Sequence, residues 1–188
     1  LFILIRGVPY INFNLLFGES NNSQMTLFPA IVSTAMMLFM SLIIAVPIGV
    51  FSAIYLTEYS KANGKLIYAI RIFTDSLSGI PSIVFGLFGM LIFLDLFGFG
   101  RSVLAGSLTL VLIILPSIIR QTEETLISIP ASLREGSLAL GASKVRTIFK
   151  IVLPCGFSGI ITAIILSIGR IVGESAALIY TSGAVRYM

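Results

Sequence analysis

The chain has 188 residues, of which 57% are hydrophobic and 11% are charged, and its formal net charge is +4. Soluble domains average about 25% charged residues, so the composition excludes an ordinary soluble fold and indicates a protein of the lipid bilayer. The 12 basic residues are scattered between apolar stretches, which argues against nucleic-acid binding. A single cysteine and no histidine exclude an internal disulfide and argue against cofactor-dependent catalysis.

The first residues, 1–5, are apolar, and we interpret them as the tail of an earlier span. Residues 7–28 are polar and turn-rich and contain no lysine or arginine, so we expect an extracytoplasmic connection there. Residues 29–188 are expected to form one membrane domain. Because the chain stops just after a polar break, we expect spans to be missing at both ends.

A helix needs roughly 20 mainly apolar residues to cross a hydrocarbon core about 30 Å thick. Four segments meet or approach this length: 27–56, about 73–97, about 103–119, and about 155–172 with an extension to 179. Pro47, Pro81 and Pro116 lie within or near them, and neighbouring helices can satisfy the backbone groups that proline frees. The sequence therefore predicts an all-α, polytopic transmembrane bundle with kinked helices.

Basic residues in short loops accumulate on the cytoplasmic side of a membrane. Such residues follow the first span and separate the third from the fourth: Lys61, Lys65, Arg71, Arg134, Lys144, Arg146 and Lys150. These two loops are predicted to face the cytoplasm, with Arg120 at the inner end of the third span. The connection at 98–102 and residues 7–28 are predicted to lie outside.

A candidate anion-binding element lies within the second span and comprises Ser76, Ser78, Gly79, Pro81 and Ser82. A helix broken near Pro81 would present backbone N–H groups to an anion. A kinked helix whose serines bond only their own backbone is at least equally consistent with this pattern. Ser78, Gly79 and Ser82 are the candidates for lining a path.

A polar elbow, defined as residues 132–154, separates the third span from the fourth. Ser132 and Glu135 have the spacing of a capping box, which predicts that a short helix begins at Ser132. Gly141 is expected to end this helix in the left-handed conformation. Ser143 is then expected to cap a second, amphipathic helix near the inner surface, with an apolar stripe formed by Val145, Ile148, Phe149 and Val152.

The elbow resembles the cytoplasmic coupling loop of ABC-importer permeases, whose pattern is Glu-Ala-Ala, a glycine six residues after the glutamate, and then Ile-x-Leu-Pro. The matching positions are Glu135, Gly141, Ile151, Leu153 and Pro154. Gly136 and Ser137 replace the two alanines and are also small. The resemblance implies that a separate ATPase pushes on this loop, through Ser132, Glu135, Gly136, Ser137, Gly141 and Pro154. A plain surface bend is the alternative.

Three further segments narrow the resemblance to permeases of phosphate importers, of the PstA type rather than the paralogous PstC type. They are FTDSLSGIPSIVFGLFG at 73–89, RQTEE at 120–124 and GRIVGESAAL at 169–178. The last resembles the family segment Gly-Arg-x-x-Gly-Glu-Thr-Ala, with Ser175 in place of threonine. The resemblance covers about residues 29–182. It implies a MetI-like transmembrane permease domain at 29–188, in a multi-pass protein of a bacterial or archaeal cell membrane.

The resemblance also implies partners. These are inorganic phosphate, a cytoplasmic ABC ATPase of the PstB type, a second permease of the PstC type and an extracytoplasmic phosphate-binding protein of the PstS type. The chain contains no Gly-x-x-x-x-Gly-Lys-Ser/Thr motif, so it hydrolyses no ATP by that route and is not expected to be an enzyme.

Arg170 lies within the fourth predicted span, and Glu174 follows it by four residues. An arginine at mid-span costs roughly 2.5–3.5 kcal/mol on insertion scales, which favours a functional role. The i, i+4 spacing places both side chains on one helical face. They form either an ion pair that only packs helices, or a site in which Arg170 binds phosphate oxygens and Glu174 holds it. The resemblance favours the second interpretation.

Three other functions remain open from the residues alone. A related permease for another oxyanion or a small organic solute would share the elbow, because the elbow does not encode the cargo. A passive ion channel would also use Arg170, although it would not need the elbow. An intramembrane enzyme would need a nucleophile and base at suitable spacing, and the sequence offers none that is convincing.

Overall fold

The computed structural model describes residues 27–59 and 65–182, and every regular element in these two ranges is helical. The predicted all-α bundle is confirmed. The apolar tail and most of the outer connection predicted for residues 1–28 lie outside the described residues, as do Lys61 and residues 183–188.

The α-helices of the described ranges are α1 (Phe28–Ile54), α2 (Lys65–Ser78), α3 (Ser82–Gly89), α4 (Val103–Ser128), α5 (Ala131–Ala139), α6 (Lys144–Thr147), α7 (Leu153–Gly173) and α8 (Ala176–Thr181). π-Helical segments extend α1 and α3 and join α6 to α7: Tyr55–Tyr59, Met90–Leu96 and Ile148–Val152. Segments of this kind inside longer helices are frequent at functional sites.

Three continuous stretches of the described chain are long and apolar enough to cross a bilayer: Phe28–Tyr59, Val103–Ser128 and Lys144–Gly173. They confirm the first, third and fourth predicted spans. The second helix predicted after Ser143 is present, and it continues without a break into the fourth span. Pro154, which lacks a backbone N–H, lies within this continuous stretch, just after the π-helical segment Ile148–Val152.

The second predicted span is not one kinked helix. Its two parts, Ile67–Ser78 and Ser82–Leu96, meet at 104° around Gly79–Pro81. Pro81 is extended, with φ −59° and ψ 139°, and its ring removes a backbone donor. At about 1.5 Å per residue the second part reaches only about 22 Å, which is less than the hydrocarbon thickness. This segment is therefore a broken span or a re-entrant element.

Helix α4 is the centre of the bundle and packs against α1, α2, α3, α7 and α8. Leu110, Ile114 and Ile118 on this helix are completely buried. Helix α1 runs parallel to α4, because Met37 lies beside Gly106 and Gly49 lies beside Ile118. This direction agrees with the predicted topology, in which the first and third spans both run from outside to inside.

Helices α3 and α8 approach each other with their backbones almost in contact at Gly86 and Ala177. A Cβ atom at Gly86 would lie 2.7 Å from the Ala177 Cα atom. Close approach through small residues is a common way of packing helices in membranes, where no hydrophobic force drives them together. The contact places the short helix α8 against the second half of the broken span.

We expect Gly86→Ala to destabilise the protein by about 1–3 kcal/mol, the usual cost of overpacking. The added methyl group meets backbone, which cannot move aside as a flexible side chain can. Gly169→Ala is the matched control, since no atom lies within 4 Å of its Cβ position. Thermal unfolding in detergent measures both, and equal melting temperatures would contradict the close approach of α3 and α8.

Candidate functional site

Arg170 projects from α7 toward the central helix. Its Nη1 donates a hydrogen bond to Ser117 Oγ on α4, with the two atoms 3.0 Å apart, and the side chain is partly buried. Among the described residues, no carboxylate forms an ion pair with it. A guanidinium carries five N–H donors, so most of its donors remain available to an anion.

Glu174 does not share a helical face with Arg170. Helix α7 ends at Gly173, and Glu174 has an extended backbone with φ −83° and ψ 114°. Its carboxylate instead accepts a hydrogen bond from the backbone N–H of Ala177, at 3.2 Å, in the first turn of α8. The predicted i, i+4 arrangement and the ion-pair alternative are therefore wrong, because the helix stops one residue before Glu174.

At the break of the second span, some of the polar groups form hydrogen bonds with the local backbone. The Ser78 hydroxyl donates to the Thr74 carbonyl at 2.9 Å, as the alternative interpretation of this segment expected. The N–H of Gly79 donates to the Ser76 carbonyl at 3.2 Å. Ser82 begins α3 directly after Pro81, and the first N–H groups of a helix have no partner within it.

The break of the second span lies near Pro116 of α4. Ile80, within the break, and Pro116 line one apolar cavity of about 430 Å³ between α2, α3 and α4. Ser117 carries the contact to Arg170. Inside a membrane, non-helical backbone is tolerated only where protein buries it or where it lines a water-filled path. The break near Pro116 and the contact of Arg170 with Ser117 therefore mark this level of α4 as a candidate path.

Charged side chains connect α2 to the inner part of α4. Arg71 pairs with Glu123, with Nε and Oε1 2.9 Å apart. Arg120 pairs with Asp75 at 2.9 Å and with Glu124 at 3.2 Å. The Arg120–Glu124 pair has the i, i+4 spacing that signals such a contact within a helix, whereas the two pairs between helices have no local sequence signal. Together these residues surround a hollow of about 150 Å³ at the inner end of the bundle.

The first helix of the elbow begins differently from the prediction. Helix α5 starts at Ala131 with Pro130 at its cap position, and no side chain caps it. The predicted capping box of Ser132 and Glu135 is therefore wrong. The reason is Pro130, which disfavours a helical conformation at Ile129, so α4 ends there and α5 starts directly after the proline.

The corner of the elbow forms as predicted. Gly141 has φ +80°, and its N–H donates to the Leu138 carbonyl at 2.9 Å, while the next N–H donates to the Ser137 carbonyl at 3.2 Å. This is the Schellman arrangement that ends a helix in a left-handed residue. Ser143 Oγ then accepts from the Arg146 N–H at 3.3 Å, which confirms the predicted cap of the second helix.

The elbow presents most of its candidate residues on an exposed surface. Ser132, Glu135, Gly136, Gly141 and Pro154 are exposed, and Ser137 is buried. The Ser137 hydroxyl lies 2.9 Å from that of Thr147, which ties the two arms of the corner together. Four of the candidates line an exposed groove of about 500 Å³: Ser132, Gly136, Ser137 and Gly141.

The apolar stripe predicted for the second helix is divided between two environments. Ile148 and Val152 are buried against the ends of α1 and α4, whereas Val145 and Phe149 are largely exposed. The helix therefore uses only half of the stripe to hold the elbow on the bundle. The other half adds apolar side chains to the accessible surface.

Arg134 has a structural role that the sequence did not reveal. It was assigned only to membrane orientation, yet its Nε lies 2.7 Å from Glu58 Oε1, 76 residues away in the chain. A pattern of charges along one chain cannot identify a partner at such a separation.

Comparison with known proteins agrees with this architecture. Residues 45–186 match the family model of the binding-protein-dependent transport system inner membrane component. The chain is 36% identical, over 97% of its length, to the probable ABC transporter permease protein YqgI of Bacillus subtilis. It is 42% identical, over 77% of its length, to the phosphate transport system permease protein PstA of Mycobacterium leprae. The alignments cover 62% and 47% of those two proteins.

A solved structure has the same fold. It is the MetNI methionine ABC transporter in inward-facing conformations, with a TM-score of 0.66 and 25% sequence identity. The match covers 80% of this chain and 70% of the solved one. The predicted MetI-like transmembrane bundle is confirmed, and so is the resemblance to PstA-type permeases.

We expect Gly141→Ala to loosen the corner of the elbow, because a left-handed conformation costs a residue with a Cβ atom roughly 1–2 kcal/mol. Gly136→Ala is the matched control. Both glycines are exposed and neither has an atom within 4 Å of its Cβ position, but Gly136 is helical.

Hydrogen–deuterium exchange over residues 131–147 distinguishes the two variants. Exchange should accelerate in Gly141→Ala and should slow or stay unchanged in Gly136→Ala, since alanine favours a helix by about 1 kcal/mol over glycine. The same exchange profile in both variants would contradict a left-handed Gly141.

Proposed function

The chain belongs to the family of binding-protein-dependent transport system inner membrane components, and we propose that it acts as a permease subunit of an ATP-driven importer of inorganic phosphate. The observation that carries this proposal is the environment of Arg170. A half-buried arginine on a membrane-spanning helix, without an ion-pair partner among the described residues, is a costly feature that an anionic cargo explains.

Arg170 would lower the barrier to phosphate without binding it tightly. Its planar fork matches two phosphate oxygens, and charge-assisted bonds of this kind are stronger than neutral ones. The hydrogen bond to Ser117 fixes one end of the guanidinium and leaves its other donors free. Such an arrangement suits a site that an ion must leave as easily as it enters.

The breaks at Gly79–Pro81 and at Glu174 would supply further groups to the path. In the second span we assign this role first to the backbone N–H of Ser82, at the start of α3. Gly79 and Ser78 could donate to an anion only by releasing the Ser76 and Thr74 carbonyls that they now bond. Glu174 acts through α8, whose first turn it orients by accepting the Ala177 N–H. We propose that these groups guide the anion past the level of Pro116.

The energy for transport would come from a separate cytoplasmic ABC ATPase. The exposed groove of the elbow, with Glu135 beside it, offers that subunit a stiff surface to push on. Closure of the ATPase would then displace Ser132, Glu135, Gly136, Ser137, Gly141 and Pro154. A second permease would complete the path, and an extracytoplasmic phosphate-binding protein would deliver the cargo. The match to phosphate transport permeases supports this set of partners.

Another cargo is the second candidate. The fold neighbour is a methionine ABC transporter, and the name of YqgI states no substrate. The elbow and the bundle would serve an oxyanion or a small organic solute equally well. Arg170 favours an anion, and competition by molybdate or tungstate against labelled phosphate separates the two oxyanion classes.

We expect Arg170→Gln to lower ATP-driven uptake of labelled phosphate into reconstituted vesicles at least about tenfold, because a hydrogen bond to a charged group contributes roughly 1.5–3 kcal/mol. The matched control is Arg101→Gln, which removes the same charge from an exposed loop. Uptake by the control should equal that of the wild type. Uptake by Arg170→Gln at the level of the control would rule out this arginine as part of the path.

A further inference from the structure

The Arg134 side chain joins the elbow to two membrane helices. Its Nε donates to Glu58 Oε1, at 2.7 Å, in the π-helical segment that ends α1. Its Nη1 donates to the Ile129 carbonyl at 2.8 Å, and its Nη2 to the Leu126 carbonyl at 2.7 Å. One guanidinium thus contacts α5, the end of α4 and the end of α1.

These bonds satisfy groups that would otherwise lack partners. The last four carbonyls of a helix have no intrahelical donor, and Arg134 supplies donors at the end of α4. The side chains of Arg134 and Glu58 are only 21% and 10% exposed. By comparison, the Arg120–Glu124 pair is 56% and 65% exposed, and pairs so open to solvent contribute little.

A second contact joins the other arm of the elbow to the same segment of α1. The Lys144 Nζ atom lies 4.8 Å from the centre of the Tyr59 ring, within the range of a cation–π interaction. Tyr59 follows Glu58 directly, and Lys144 begins α6 on the far side of the Gly141 corner. Two consecutive residues at the end of α1 therefore contact both arms of the elbow.

The chain itself connects the elbow to α4 through Ile129 and Pro130, and to α7 through a continuous helix. It has no such connection to α1, whose last described residue precedes α5 by more than seventy positions. Beneath the contacts, Ala53 and Ile54 of α1 pack with Leu126 and Val152 in an apolar cluster. Apolar contacts are non-directional and permit sliding, whereas hydrogen bonds of fixed geometry do not.

We propose that Glu58 and Arg134, assisted by Tyr59 and Lys144, form a latch that makes α1 follow the elbow when the ATPase displaces it. They are positioning residues, since none of them is placed in the phosphate path. The inference rests on the proposed function, in which an ATPase acts on the elbow. It adds that the displacement of the elbow reaches the first span through the side chains of these four residues and not through the backbone.

The test uses the assembled transporter, with its ATPase and binding protein, in vesicles. Glu58→Gln keeps the shape of the side chain but removes the charge that Arg134 binds. Phosphate taken up per ATP hydrolysed should fall about tenfold, within the range by which residues that carry coupling alter it, while ATP hydrolysis continues. Glu124→Gln is the matched control, because it makes the same change in an exposed pair, and it should leave the ratio unchanged.

A purely structural role for Glu58 would lower assembly, hydrolysis and uptake together and leave the ratio intact, which would overturn the latch. Tyr59→Phe should retain coupling because it keeps the ring, whereas Tyr59→Leu should weaken it. Loss of coupling in Tyr59→Phe as well would contradict a cation–π contact at this position.

A second readout does not depend on the cargo. Spin labels at Leu140 on the elbow and Phe51 on α1, both exposed, report the distance between the two elements with and without ATP. The distance should stay constant in the otherwise native transporter and change on ATP binding in Glu58→Gln. An equal change of distance in the native transporter and in Glu58→Gln would overturn the latch.

The two proposals fail separately. If the native transporter takes up no phosphate, the proposed cargo is wrong, and the distance measurement still tests the latch.

Discussion

In the hydrocarbon core of a bilayer every backbone N–H and C=O group must find its partner within the protein. Most of the described chain meets this requirement with continuous helices packed around α4. The helices are interrupted at two breaks in the membrane segments, at Gly79–Pro81 and at Glu174. Neighbouring polar side chains form hydrogen bonds with the backbone there. Ser78 bonds the Thr74 carbonyl, and Glu174 bonds the Ala177 N–H. This irregular backbone is therefore held in a defined arrangement.

The elbow and Arg170 belong to one mechanical unit. A continuous helical stretch, Lys144–Gly173, runs from the corner of the elbow to the end of α7. A displacement of the corner must therefore reach Arg170 unless the helix bends. Within this stretch, the π-helical segment Ile148–Val152 is the one departure from α-helical geometry. Under the proposed function, the corner receives the motion of the ATPase at one end of this stretch, and Arg170 meets the anion at the other.

The sequence predicted features that depend on neighbouring residues, but it did not predict contacts between residues that are far apart in the chain. The apolar lengths predicted three of the spans, and the glycine at position 141 predicted the corner, because both depend only on neighbouring residues. Pro81 predicted a kink or break in the second span, but not the angle of 104° between its two parts. Helix α7 ends at Gly173, just before Glu174. The four-residue spacing of Arg170 and Glu174 does not show where the helix ends. The Glu58–Arg134 pair left no local signal.

The most direct test of the account is whether the face of α7 that carries Arg170 is open to water. Gly173 lies three residues after Arg170, its Cβ position is clear of other atoms within 4 Å, and Cys155 is the single cysteine of the chain. In a Cys155→Ser background, Gly173→Cys should react with a membrane-impermeant thiol reagent, and phosphate should slow the reaction, whereas Ile43→Cys on α1 should stay unmodified. Gly173→Cys as unreactive as Ile43→Cys would contradict a path at this arginine.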